Sequence, residues 1–169
     1  MIIGCDPGLT GALVVVDAAT GALLSVTDMP TKLKRVNGAD RLVLDEDGVG
    51  DWFLGHKDLG ARRLVIERVG GLPGQSAPRA FTFGYGYGVL LSTARMLGFE
   101  VVQVMPQEWK GKMIWGWSRA DKIKKRSLAA ATKLFGDNAH WKRQKDHGRA
   151  EAALIALYGV KHVWRQADD

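Results

Sequence analysis

The chain opens on Met1-Ile-Ile-Gly-Cys-Asp-Pro-Gly-Leu-Thr-Gly-Ala-Leu-Val-Val-Val16, in which two apolar runs enclose a small, turn-prone centre. β-Branched residues on both sides of Pro-Gly and a further Gly predict a β-hairpin and argue against a helix. Such a hairpin leaves one carboxylate, Asp6, at the end of an otherwise apolar strand, pointing toward the hairpin mouth. A charge there is costly unless something compensates it. Two readings follow. Asp6 caps its own turn through the backbone, the commoner fate of an Asp beside Pro-Gly, or it ligates a divalent cation. Partners elsewhere in the chain decide between them.

With 169 residues, 46% of them hydrophobic, the chain suits a folded domain with a sizeable core. The expectation is a single domain over residues 1–158 and a short, polar tail, 159–169, that frays. The one cysteine, Cys5, excludes an internal disulfide framework and a cysteine-based zinc site, and its apolar surroundings mark a buried structural thiol. No apolar stretch reaches the length of a bilayer, and no basic segment leads into an apolar one at the start. The expected location is therefore the cytoplasm, or the host cytoplasm if the chain is phage-encoded.

Lys and Arg number 24 against 18 acids, a formal charge of +6, and the pI is near 9.6. The excess lies between Lys110 and Arg149, where Lys122, Lys124, Lys125, Arg126, Lys133, Lys142, Arg143 and Lys145 fall beside Trp109, Trp115, Trp117 and Trp141. Basic residues interleaved with aromatics point to a phosphate backbone as partner. Solvated helix faces produce the same composition.

After the hairpin, Asp17–Gly21 reads as a turn and Ala22–Thr27 as a third antiparallel strand ending at Pro30. Residues 31–47 read as a polar loop with a short extended piece at Arg41–Leu44. Gly48–Leu59 predicts a short helix, and Ala61–Glu67 a strand whose successive Leu64, Val65 and Ile66 are buried on both faces. A glycine-rich loop precedes a helix from Ser76 to Leu97, in which Gly84, Gly86 and Gly88 cost roughly 1 kcal/mol each and demand a close approach by another backbone or by DNA. Phe99–Met105 is the next strand, Pro106–Lys110 opens a short helix, and Gly111–Trp117 is a basic loop. A capping pattern at Ser118–Asp121 starts a helix through Phe135. Gly136–Arg143 is a loop, and Gly148–Tyr158 a helix dense in good formers. The order predicts an α/β protein: a mixed five-stranded sheet, its first three strands antiparallel, flanked by helices.

On that plan Asp6 and Glu67 meet at one sheet edge if their strands are neighbours, and the last helix can bring Asp146 and Glu151 over it. Within one helix a spacing of five splays Asp146 and Glu151 by about 140°. They converge if Asp146 lies in the non-helical entry, with Gly148 as the break. His147 and Glu151, four apart, share a face if the helix begins early. Glu151 stands on an alanine- and leucine-rich, apparently buried helix, where a carboxylate asks for a ligand. Four carboxylates make a hard oxygen site suited to Mg²⁺ or Mn²⁺. Two such ions roughly 3.5–4 Å apart can activate a water and stabilise the leaving oxygen of a phosphodiester. Helix capping by Asp146 and a surface position for Glu151 is the bland alternative.

Four blocks in order, Ile3-Gly-Cys-Asp-Pro-Gly-Leu-Thr-Gly-Ala-Leu13, Val65-Ile-Glu67, Val104-Met-Pro-Gln-Glu-Trp-Lys110 and Asp146-His-Gly-Arg-Ala-Glu-Ala-Ala-Leu-Ile-Ala156, resemble the RuvC Holliday-junction resolvases, especially their phage and organellar relatives. The resemblance runs from Met1 to about Tyr158. It implies an RNase H-like fold, a homodimer, and metal-dependent symmetrical nicking of four-way DNA junctions. It assigns Asp6, Glu67, Asp146 and Glu151 to Mg²⁺ or Mn²⁺, with two ions per site. Lys110 and Lys122 match basic positions near the scissile phosphate. Arg68, Lys110, Lys112, Trp115, Lys122, Lys124, Lys125, Lys142, Arg143 and Lys145 are the expected DNA contacts. The helix from Ala77 to Leu97 corresponds to the dimer element. The glycine-rich loop after Glu67 lacks the family's aromatic wedge, a place that Phe81 or Phe83 can take. Bacterial relatives space the last two ligands three apart, which here falls on Gly148, so the role passes to Asp146 or His147. His147 is then a ligand, a base for the attacking water, or a bystander.

Three rival readings share these residues. Asp6-Pro-Gly-Leu-Thr10 also fits the phosphate loop of sugar kinases and actin-like ATPases, which duplicate a related topology, whereas this chain shows one copy and no second nucleotide loop. A module that binds branched DNA without cutting it has no use for carboxylates that repel DNA. An RNase H-like nuclease acting on RNA–DNA hybrids is the third.

Overall fold

The computed structural model describes residues 1–36, 38–71, 74–114, 116 and 123–164, the side chains of residues 123 and 124 apart. Strands β1 (Ile2–Asp6), β2 (Ala12–Val16) and β3 (Leu23–Asp28) form an antiparallel meander. A separate hairpin follows, β4 (Thr31–Val36) and β5 (Ala39–Leu44), then helix α1 (Glu46–Asp58), strand β6 (Arg63–Glu67), helix α2 (Ala77–Met96) and strand β7 (Glu100–Val104). The chain continues through helices α3 (Pro106–Met113), α4 (Ile123–Phe135) and α5 (His147–Tyr158). The five-stranded sheet has the order β3-β2-β1-β6-β7, with β1, β6 and β7 parallel. The mixed sheet with its first three strands antiparallel is the architecture the residue pattern predicts.

Both faces of the sheet are covered, and side-chain alternation sorts the residues between them. Ile2, Val14, Val65 and Val104 face α3, α4 and α5, packing with Trp109, Leu154 and Ile155. Ile3, Cys5, Leu13, Leu64 and Ile66 face α1 and α2, packing with Phe53, Leu90 and Ala94. Leu64, Val65 and Ile66 are each fully buried, as a central strand requires. Every such aliphatic side chain contributes about 1.5–3 kcal/mol.

Helix α5 lies unusually close to β1. A Cβ added at Gly4 would fall 2.2 Å from the carbonyl oxygen of Ala152 and 2.4 Å from the nitrogen of Ala156. Gly4 and two alanines one helical turn apart therefore set the distance between strand and helix. The Asp6–Gly11 turn is equally tight, because a Cβ at Gly11 would meet the Asp6 carbonyl at 2.1 Å.

Several elements depart from the sequence reading. Residues 31–44 form a six-pair antiparallel hairpin where a loop was expected, turning with Gly38 at φ 80°. Its strands are largely exposed, so no apolar alternation advertises them. Helix α3 runs on to Met113, past the predicted loop start at Gly111, because Trp109 and Met113, one turn apart, both enter the core. Single 3-10 turns at Ala139–Trp141 and Gln144–Asp146 interrupt the loop before α5, which starts at His147. Beyond Tyr158 the chain continues as a π turn over Gly159–Val163, and the Trp164 indole donates to Glu100 at 2.7 Å, so this part of the tail is docked rather than frayed. The capping pattern predicted at Ser118–Asp121 lies outside the described residues.

Candidate active site

Residues Ile2, Gly4 and Asp6 alternate onto the α5 side of the sheet, and so do Val65 and Glu67 of the neighbouring parallel strand. The register pairs Cys5 with Ile66, so Asp6 and Glu67 end β1 and β6 side by side at the carboxyl edge. Helix α5, held against Gly4, lowers Glu151 over that edge. Helix α3 adds Trp109 and Lys110, and α4 adds Ser127. Lys110 and Glu151 are buried, with 7% and 9% of their surface exposed.

The Lys110 ammonium sits between two carboxylates, 3.5 Å from Glu67 Oε2 and 3.4 Å from Glu151 Oε2. It also lies 4.9 Å from the centre of the Trp109 ring. The Trp109 indole donates to Glu67 Oε2 at 2.6 Å, and the Ser127 hydroxyl to Glu151 Oε1 at 2.9 Å. Asp6 receives a long bond, 3.4 Å, from the nitrogen of Gly8. One ammonium thus faces three acids. Burial, then the charge of Glu151, then that of Glu67 push the Asp6 carboxyl up to about 7. Burial raises the Glu67 carboxyl as well, against the pull of Lys110.

Such a corner attracts further positive charge, and its donors are hard oxygens of the kind Mg²⁺ and Mn²⁺ prefer. Among the described residues no three His, Cys, Asp or Glu side chains stand together as a ready-made cage. The space between Glu67 and Glu151 holds the Lys110 ammonium, a cation in its own right. The residues present fit a divalent ion in charge and chemistry, with Lys110 as the occupant that would yield.

Asp146 is not brought to this group. Its side chain is buried to 4% exposure and bound by Arg143, through the backbone nitrogen at 2.9 Å and the guanidinium at 2.9 Å. Arg143 holds its carboxyl below the ordinary carboxylate range. It faces a neighbouring cleft of about 300 Å³ lined by Thr10, Gly11, Asp28, Lys145 and Arg149. The position three residues before Glu151 does face Asp6, since a Cβ at Gly148 would come 3.2 Å from Asp6 Oδ2. It would also strike the Thr10 carbonyl at 2.5 Å, so only glycine fits. His147 begins α5 and shares its face with Glu151. Its Nδ1 lies 3.2 Å from the carbonyl of Gln144. A carbonyl only accepts, so Nδ1 is the donor in this contact.

The expected DNA contacts divide. Arg68, Lys112, Lys125, Lys142, Arg143 and Lys145 are exposed. Lys112 lines a basic groove of about 690 Å³ with Arg126, Lys133, Lys161 and His162. Trp115, Lys122 and the Lys124 side chain lie outside the described residues. Trp109 and Trp141 are core residues, 0% and 3% exposed, so these two tryptophans are not part of an aromatic nucleic-acid surface. Sequence reasoning missed Trp109 and Ser127 as the partners of Glu67 and Glu151. Trp109 adjoins Lys110 in the chain, the one hint available; Ser127 had none.

No protein-family model matches the chain, and no curated protein matches its sequence significantly. Solved structures do match in shape. Thermus thermophilus RuvC in complex with a Holliday junction substrate superposes with a TM-score of 0.61 at 16% identity, covering 94% of this chain and 93% of that one. A further Thermus thermophilus RuvC structure gives 0.57 at 18% identity, covering 94% of each chain. The yeast mitochondrial Holliday junction resolvase Ydc2 is matched at 0.48 and 14% identity, over 94% of this chain and 77% of that one. The chain has the fold of the RuvC structures, over nearly the whole length of both.

Proposed function

We propose that this protein is a structure-selective DNA endonuclease that resolves four-way junctions by symmetrical, divalent-metal-dependent hydrolysis, acting as a homodimer. The observation that carries the reading is the buried Lys110 held between Glu67 and Glu151, from separate elements, with Asp6 near enough for both of those charges to act on its carboxyl. It occurs within a fold shared with a protein solved on a Holliday junction. Asp6, Glu67 and Glu151 would hold Mg²⁺ or Mn²⁺, with His147 Nε2 as the added donor in place of Asp146. Asp146 then serves to fix the loop before α5 through Arg143.

When bound, the metal supplies Lewis acidity toward the phosphoryl group and a lowered pKa for water. The chain's own groups do the rest. Trp109 holds Glu67 through Oε2 and Ser127 holds Glu151 through Oε1, which fixes how each carboxylate is turned beside Lys110. Lys110, once released from the two glutamates, sets positive charge where negative charge grows on phosphate during attack. The exposed basic residues on the loop before α5 draw in the DNA backbone. Helix α2 supports the dimer. Its buried residues are Gly86, Leu90 and Ala94, while Phe81 is 76% exposed and, among the described residues, a Cβ at Gly84 or Gly88 meets nothing within 4 Å. Packing within one chain gives those glycines no reason, and a second copy does.

Incubation with four-way junctions, linear duplexes and RNA–DNA hybrids in Mg²⁺ or Mn²⁺ tests this. Nicking confined to junctions is the expected result. Equal cutting of duplex or hybrid would sink the proposal.

A further inference from the structure

The β4–β5 hairpin stands apart from the main sheet and contributes nothing to the carboxylate site. Its register sets Lys34 directly opposite Arg41, Lys32 opposite Val43 and Arg35 opposite Asp40. Alternation puts Lys32, Lys34 and Arg41 on one face, and Leu33, Leu42 and the Arg35–Asp40 pair on the other. Most of these charges are answered within the chain. Lys32 binds Asp45 at 2.9 Å and Glu46 at 3.0 Å, and Arg35 lies 3.8 Å from Asp40. Lys34 and Arg41 are exposed, and neither has an ion-pair partner among the described residues. Like charges directly opposed across a ladder destabilise it. A lysine alone would suffice to keep an exposed edge from pairing. The doubled charge costs stability that the fold itself does not return.

The base of the hairpin borders the cleft next to the candidate active site. Thr31, at its base, lines the cleft that holds Arg143, Lys145 and Arg149 beside the Asp6–Gly11 turn. Leu9 of that turn borders this cleft and also the one between the hairpin and α2. A polyanion that runs from the site along this cleft meets the base of the hairpin.

We propose that Lys34 and Arg41 form a two-pronged phosphate grip that holds the backbone of a DNA arm as it leaves the active site. The inference rests on the reading of the protein as a junction nuclease. Directly opposed residues of a ladder have Cα atoms about 4.5–5.5 Å apart, so the two side chains close on one phosphate or on two neighbours. The contact is independent of sequence and relieves the repulsion between the cations once the arm is bound.

The test is equilibrium binding of a four-way junction across a salt series, comparing the wild-type protein with K34Q/R41Q and with the charge-preserving swap K34R/R41K. Each phosphate contact adds about 0.9 to the slope of log affinity against log salt, so the double neutral variant should lose about 1.8 from it. Its affinity near 0.1 M salt should fall on the order of tenfold, while its melting temperature stays level or rises because the repulsion is gone. The swap should bind as the wild type does. A wild-type slope and affinity in K34Q/R41Q, beside normal junction binding by the parent, would overturn the grip alone. So would loss of binding in the swap, or a fall in melting temperature that accompanies the binding loss. A parent protein that binds no junction would overturn the nuclease reading and the grip with it.

Discussion

Asp6 and Lys110 carry opposite charges into one buried corner, and their balance sets how the site answers to pH. The Asp6 carboxyl is raised from an ordinary 3.8 to about 7, so the folded state favours its protonated form. The stabilisation this brings is complete below about pH 4 and is lost as pH rises through about 7. Calorimetry of the metal-free protein should show Asp6→Asn flattening that loss and raising the melting temperature at pH 8, by about 2–4 °C for each kcal/mol relieved. Metal must displace the same proton. Mg²⁺ or Mn²⁺ affinity is therefore expected to climb up to about pH 7 and level off above it, with proton release measurable at pH 6; an affinity flat across that range would contradict the assignment. Trp109 acts on Glu67 through a single 2.6 Å bond. Trp109→Phe keeps most of the buried bulk and removes the donor, so metal affinity or cutting should fall roughly 10–100-fold, the usual effect of losing a group that orients a ligand.

At the scale of elements, the site depends on how closely α5 approaches the β1 turn. Gly148→Ala places a methyl 2.5 Å from the Thr10 carbonyl. Denaturant unfolding should show a loss on the order of 1–3 kcal/mol, with cutting lost further than stability because Glu151 and His147 ride on the displaced helix. Much of this layout is legible in the residues. β-Branched runs and the Pro-Gly punctuation mark β1, β2 and β6, and Asp6 and Glu67, each at a strand end, meet at one sheet edge once those strands are neighbours, as the register makes them. What escaped has physical causes. The β4–β5 hairpin is exposed on both strands and carries no period-two apolar signal. The end of α3 hides behind Gly111, although Met113 draws the helix onward into the core. Asp146 looked equivalent to Glu151 as an acid, but Arg143, three residues away, claims it. The bonds of Trp109 and Ser127 span 42 and 24 residues, which no local spacing discloses.

At the scale of the whole molecule, the proposed symmetrical cutting requires two sites, and the proposed dimer places a second copy on the exposed face of α2. Among the described residues no atom lies within 4 Å of a Cβ added at Gly84 or Gly88, so G84R/G88R should fold as the parent does. By sedimentation it should run as a monomer where the parent is a dimer, and its nicks on a junction should no longer be paired. A parent that sediments as a monomer on junction DNA would remove the dimer from the account. Among the described residues no helix is long and apolar enough to cross a membrane.

The central claim is that Glu67 and its neighbours make this fold a metal-dependent junction nuclease. The most direct measurement is single-turnover cleavage of a four-way junction with each strand labelled in turn, comparing the parent with Glu67→Gln in Mg²⁺ and in chelator. The account predicts paired nicks at symmetrical positions in opposed strands from the parent with metal. It predicts no nicks without metal, and none from Glu67→Gln although that variant still binds the junction. Cutting by Glu67→Gln at the parental rate, or parental cutting undiminished by chelator, would contradict it.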